Sequence, residues 1–156
     1  MNMNLFESAI CFTDAHLGLK HNSEQHNRDC LDFIDWMILQ AKERNCKTCI
    51  FLGDWSHHRS TINLLTLDYT IQALNKLNDY FDRTYIIVGN HDIFYRDKRD
   101  IHAMVVAEEF KNIILVDEIT EIGNVALIPW LVGDEWKQIE NINVKYIFGH
   151  LEPGYF

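Results

Sequence analysis

Four times in this chain a short apolar run stops abruptly at residues suited to binding a metal ion. Ile10, Cys11 and Phe12 lead to Thr13-Asp14-Ala15-His16. Cys49 to Leu52 lead to Gly53-Asp54-Trp55-Ser56-His57-His58, Tyr85 to Val88 lead to Gly89-Asn90-His91-Asp92, and Tyr146 to Phe148 lead to Gly149-His150. Apolar runs of this length, rich in β-branched residues, suit strands covered on both faces. Helical stretches alternate with them, so the chain reads as α/β with a largely parallel sheet. In such a sheet the strands' carboxyl ends share one edge, and residues distant in sequence meet there.

The intervening stretches support that reading. After a polar loop from Lys20 to Asn27, apolar residues at Leu31, Ile34, Met37, Ile38 and Ala41 mark one face of a helix over Arg28 to Arg44, with Asn27 placed to cap it. Ser60 or Thr61 is placed to cap a second helix running to about Tyr80. Its two adjoining stripes, Leu64-Leu67-Ile71-Leu74 and Ile62-Leu65-Tyr69, are wider than packing on one sheet requires. Such a helix is either deeply buried or also serves a subunit interface. A short helix is expected at Ile101 to Phe110, strands at Ile113 to Val116 and Val125 to Ile128, and a weak helix at Asp134 to Ile139. With 156 residues and no linker, repeat or low-complexity stretch, one domain is expected.

Charge and cysteine content narrow the function. A net charge of −9 argues against holding nucleic acid on a broad basic surface. It leaves open a nucleic-acid enzyme, because bound divalent cations concentrate positive charge where a phosphate sits. Cys46 and Cys49 form a C-x-x-C that precedes a strand instead of opening a helix, and Cys11 and Cys30 form no second pair, so ordinary thiols are expected. The first residues, MNMNLFESAICF, lack the basic flank and long apolar core of a signal peptide, and no stretch approaches a membrane span. A cytoplasmic protein with no membrane partner is expected.

The four signatures supply the chemistry. Asp14 and His16 are separated by one residue, which in extended backbone puts both side chains on one side, as a shared cation needs. Asp54 has two carboxylate oxygens, enough to bridge two cations. Asn90 offers a carbonyl oxygen, His91 an imidazole for proton transfer, and Asp92 a carboxylate expected to hold that imidazole in one tautomer. Gly89 is expected to let the backbone turn sharply between strand and site.

In order, D-x-H, G-D, G-N-H-D and G-H resemble the first four motifs of the calcineurin-like metallophosphoesterase superfamily. Asp14 to Gly18 (DAHLG), His57 three residues after Asp54, and Leu127 to Trp130 (LIPW) resemble its SbcD and Mre-eleven type DNA-repair nucleases, including through GHLEPGYF the T-even phage recombination endonuclease subunits. The resemblance implies an αββα sandwich, here with mainly the first sheet and its flanking helices. It implies two divalent cations, manganese by habit with magnesium, iron or zinc as alternatives. Asp14 and His16 would hold the first, Asp54 would bridge, and Asn90 with His150 would hold the second. His91 would serve the leaving oxygen with Asp92 orienting it, and His57 would contact the scissile phosphate. DNA, an SbcC-type ATPase and a second copy, through the helix at 61–80 and that near 101–110, are the implied partners.

The family's fifth motif, G-H-x-H, does not occur in these residues, nor do the capping and ATPase-docking segments. Residues 1–156 are therefore expected to form a metallophosphoesterase domain incomplete at its C-terminal side. The expected function is two-metal phosphodiester hydrolysis on DNA, as exonuclease or endonuclease, in double-strand-break repair or phage recombination. Two alternatives remain: a catalytically impaired module acting in dimerisation or subunit assembly, and a phosphatase or phosphodiesterase for small molecules.

Overall fold

A computed structural model describes residues 8–152. The Met1 to Glu7 part of the N-terminal stretch and the last four residues of GHLEPGYF lie outside them. The elements run β1 (Ile10–Phe12), a four-residue turn α1 (Leu19–Asn22), α2 (Glu24–Glu43), β2 (Thr48–Phe51), α3 (Leu64–Tyr80) and β3 (Arg83–Ile87). A 3-10 helix (Ala103–Glu109), β4 (Ile113–Val116), β5 (Thr120–Ile122), β6 (Val125–Ile128), α4 (Trp136–Ile139) and β7 (Tyr146–Gly149) complete them.

The described residues build two sheets. The first is parallel, in the order β1-β2-β3-β4. In the second, β5 pairs antiparallel with β6, and β6 pairs parallel with β7. β7 was expected at the edge shared with the other three signature strands; it belongs instead to the second sheet. That sheet, implied by resemblance to lie mostly outside this chain, has three strands here. Alternating side chains of the first sheet feed two cores. Phe12, Cys49, Phe51 and Ile86 pack under α2 and α3, while Ile50, Tyr85, Ile87 and Val116 meet Val125 and Leu127 of the second sheet.

Both long helices start elsewhere than their apolar spacing suggested. The Ser23 hydroxyl accepts from the His26 N–H at 3.3 Å, so α2 begins one turn early, with Glu24 favourably placed at its positive end. Asn27, expected as the cap, is fully buried inside the helix; its Oδ1 accepts from the Gly18 N–H at 2.8 Å and its Nδ2 donates to Thr66 Oγ1 at 3.1 Å. Asn63, in place of Ser60 or Thr61, caps α3 by accepting from the Leu65 N–H at 2.9 Å. Helix α3 buries Thr66, Tyr69, Thr70, Ala73, Leu74 and Leu77, while Leu64, Leu65 and Ile71 of its wide apolar arc stay exposed.

All four cysteines are free, with Cys46 and Cys49 buried in the core. Among the described residues no helix is long and apolar enough to cross a membrane.

Candidate metal centre

The loops after β1 and β2 run side by side beyond the sheet's edge. Asp14 N–H donates to the Gly53 carbonyl at 3.0 Å, His16 N–H to Asp54 at 3.0 Å and Leu17 N–H to Trp55 at 2.8 Å; the His57 N–H returns to Leu17 at 2.9 Å. This ladder sets D-x-H against G-D. The backbone it produces is not the extended one expected, since Asp14 (φ 56°), His16 (φ 45°) and Asp54 (φ 61°) all sit in the left-handed region. Each conformation is disfavoured for a side chain bearing a Cβ, and the surrounding hydrogen bonds impose it. The side chains still converge: His16 Nε2 lies 3.4 Å from Asp14 Oδ1 and 3.6 Å from Asp54 Oδ2.

The other half of the site comes from both sheets. Asp54 is 4% exposed, and its Oδ1 accepts from the His91 N–H at 2.8 Å while lying 3.5 Å from His150 Nε2. The second sheet meets the first beside the site, where the Trp130 N–H donates to Val88 at 2.9 Å, and within the second sheet the His150 N–H donates to Ile128 at 3.1 Å. His150 Nδ1 lies 2.9 Å from the Leu52 carbonyl, which can only accept, so the proton is on Nδ1 and the lone pair of Nε2 faces Asn90 at 2.9 Å. Thus β7 delivers its histidine to the expected place from an unexpected sheet.

Two roles assigned in the GNHD segment change. Asp92, fully buried, does not orient the His91 ring; its carboxylate accepts from the backbone N–H groups of Ser56 (2.8 Å), Gly89 (2.9 Å) and Asp54 (3.0 Å). It braces two loops. The ring of His91 is instead held by the His57 carbonyl, 2.9 Å from Nδ1, which leaves Nε2 free for chemistry. Gly89 is required by proximity more than by turning, because a Cβ there would collide with the backbone nitrogen and carboxylate of Asp54.

Burial pushes the Asp92 carboxyl up to about 6, against the lowering effect of its backbone donors. Burial, and then the neighbouring His58, His16, His91 and His26, pull His57 below the ordinary histidine value. The rings of His57 and His91 stack at 5.5 Å, with His16 edge-on to His91 at 4.9 Å.

The donors fit hard or borderline cations. Ligand atoms of Asp14, His16 and Asp54 all lie within 4.8 Å of one another. Beside them, Asn90 has two settings: with its oxygen inward, only acceptors meet at Asp54 and His150; turned over, its NH2 donates to His150 Nε2 at 2.9 Å and to both Asp54 oxygens at 3.3 Å. Converging acceptors with no proton between them is the arrangement a cation completes, and mixed carboxylate, imidazole and amide oxygen suits a divalent first-row ion.

A family model described as Calcineurin-like phosphoesterase matches residues 9–153. The chain belongs to the calcineurin-like phosphoesterase family. This metal-dependent phosphoesterase family accounts for the helix-sheet-sheet layering and for the order of the four signatures. Among curated proteins the phosphoesterase chain is 26% identical, over 148 residues, to exonuclease subunit 1 of Enterobacteria phage T4, covering 89% of this chain and 44% of that protein. It therefore spans less than half the length of this relative. Among solved structures it is similar in fold to the crystal structure of Pseudomonas putida nuclease MPE, with TM-score 0.51 and 24% identity over 76% of this chain and 52% of the other.

Asn27 and the His57 carbonyl were not legible as parts of the site. Asn27 was read as a cap because it precedes the apolar spacing, and a backbone carbonyl carries no sequence signal at all.

Proposed function

We propose that this chain is the phosphoesterase portion of a two-metal DNA nuclease of the SbcD type, acting in the cytoplasm. The observation that carries the reading is the convergence of Asp14, His16 and Asp54 with Asn90 and His150, with the free Nε2 of His91 beside them. Asp14 and His16 would hold one cation and Asn90 and His150 the other, with Asp54 shared between them. Bound divalent cations, manganese by family habit, supply a water nucleophile at neutral pH and neutralise charge developing on the phosphoryl oxygens.

The chain's own groups do the rest. His91, whose Nδ1–H is held by the His57 carbonyl, presents Nε2 to the leaving oxygen and, in its doubly protonated form, gives it a proton or a hydrogen bond. The His57 ring, stacked on His91, would contact the scissile phosphate. Asp92 holds the loops of Asp54 and Asn90 at a constant spacing. The likeness to an exonuclease subunit of phage T4 supports DNA as substrate and a second subunit as partner; an SbcC-type ATPase is the partner that the resemblance to SbcD implies.

The test offers linear single- and double-stranded DNA, and a generic aryl phosphodiester, to the purified chain with manganese. The expected result is cleavage of DNA in preference to the aryl ester, reduced about 10²- to 10⁴-fold in His91→Ala. Cleavage indifferent to His91 would falsify the assigned chemistry.

Exposed apolar residues favour a second reading, assembly with another copy or subunit. Leu64 is 82% exposed, and Ile62, Leu65 and Ile71 beside it, with Ile101 and Val105 near the 3-10 helix, are also open to solvent. A chain that stays monomeric at high concentration in light scattering removes the self-association form of this reading.

A further inference from the structure

Next to His150 lies a cleft of about 280 Å³, whose walls include Arg96, Trp130, Leu131, Gly133 and Trp136. Its size is close to the lower end of small-molecule sites, roughly 300 to 1,000 Å³, enough for one planar ring system and its sugar but not a duplex. It is continuous with the metal centre, because His150 belongs to both and the Trp130 ring centroid is 6.0 Å from that of His150.

The cleft is preformed by a buried clamp. Arg99, its side chain 8% exposed, donates Nη1 to the Trp130 carbonyl at 2.6 Å and Nε to the Asp117 carbonyl at 2.6 Å. The same guanidinium grips both oxygens of Glu135 at 2.7 Å, and Glu135 accepts from the Val132 N–H at 3.0 Å. The segment carrying both tryptophans is thereby pinned at Trp130, Val132 and Glu135, immediately before Trp136. A rigid clamp of this kind cuts the ordering cost of binding. Trp136 is nevertheless 45% exposed, with the Lys137 Nζ 5.6 Å from its ring centroid.

We propose that this cleft receives an unpaired nucleobase of the strand whose phosphate lies at the Asn90–His150 pair, stacked on Trp136. The proposal rests on the nuclease reading above and adds to it a base-binding site beside the metal centre. Aromatic faces stack any base without reading its sequence. Asp97 and Glu152, also at the cleft, repel a phosphate while accepting hydrogen bonds from base amino groups, so the base and not the backbone enters. Arg96 offers the opposite charge to the backbone outside.

The test compares binding of deoxyadenosine monophosphate with that of deoxyribose 5-phosphate, which carries the phosphate and lacks the base. Both are titrated against tryptophan fluorescence of the full chain in manganese. The expected result is an affinity about tenfold higher for the nucleotide. Trp136→Ala removes that advantage, Trp136→Phe keeps most of it, and both variants melt like the wild type because the residue is exposed. Equal affinities in the wild type, or an advantage that survives Trp136→Ala, overturn the proposal. DNA cleavage measured alongside decides the nuclease reading separately: a chain that cleaves DNA yet binds the two ligands equally keeps its chemistry and loses its base site.

Discussion

The carboxylate of Asp92 accepts a hydrogen bond from the backbone N–H of Asp54 at 3.0 Å, across the gap between the loops that follow β2 and β3. Two further bonds, from Gly89 and Ser56, make this side chain a brace for the metal centre. Asp92→Ala strips the acceptor from three buried N–H groups, each costing about 1 to 3 kcal/mol when left unpaired. A loss of roughly 3 kcal/mol or more in urea unfolding, with weakened manganese binding, is expected; a loss below about 1 kcal/mol contradicts the bracing role.

The left-handed backbone at Asp14 gives the metal ligand a separable cost. Asp14→Gly relieves the φ of 56° and also removes a negative charge near Asp54. In a chelator the variant should match or exceed wild-type stability, by up to about 1 kcal/mol. With manganese the order should invert, because the wild type gains about 2.7 kcal/mol at a hundredfold excess over its dissociation constant. Thermal melts with and without the ion decide the matter. A variant less stable than wild type in both conditions refutes it.

Asn27 ties the DAHLG loop to α3 through Gly18 and Thr66, both bonds buried. Asn27→Ala is expected to cost about 2 to 3 kcal/mol and to lower metal affinity without touching a ligand. Calorimetric titration of manganese into this variant, compared with Thr66→Val, separates loop support from helix packing. The smaller effect belongs to Thr66, which leaves the Gly18 bond intact.

Glu135 gives the clamp a pH signature. Burial alone raises its pKa, but the Arg99 hydrogen bonds and charge and the Val132 N–H outweigh it, and the net position is below the ordinary 4.5. A depressed carboxyl stabilises the folded state above its unfolded pKa, and that contribution is lost as pH falls through the folded value. The gap in urea midpoint between wild type and Glu135→Gln should therefore be full near pH 6 and shrink below about 4.5. A gap independent of pH from 6 down to 3 refutes the ionised clamp.

The α/β alternation, the family and most of the side chains gathered at the site were legible in the sequence, while β5, Asn27 and the His57 carbonyl were not. The physical reason is local: apolar runs ending in Gly, Asp, Asn and His carry the strand and its chemistry in the same few residues, and parallel strands bring such ends together. Helix starts were not legible, because Ser23, Asn27, Asn63 and Thr61 are all acceptable caps and no local pattern ranks them. Tertiary structure alone decided which sheet carries His150, since β7 pairs with β6 at a distance no local pattern records. It also decided which group orients His91. The sequence places Asp92 beside it, but the neighbour in space is a carbonyl from position 57, while the carboxylate turns inward to satisfy backbone donors that burial would otherwise leave unpaired.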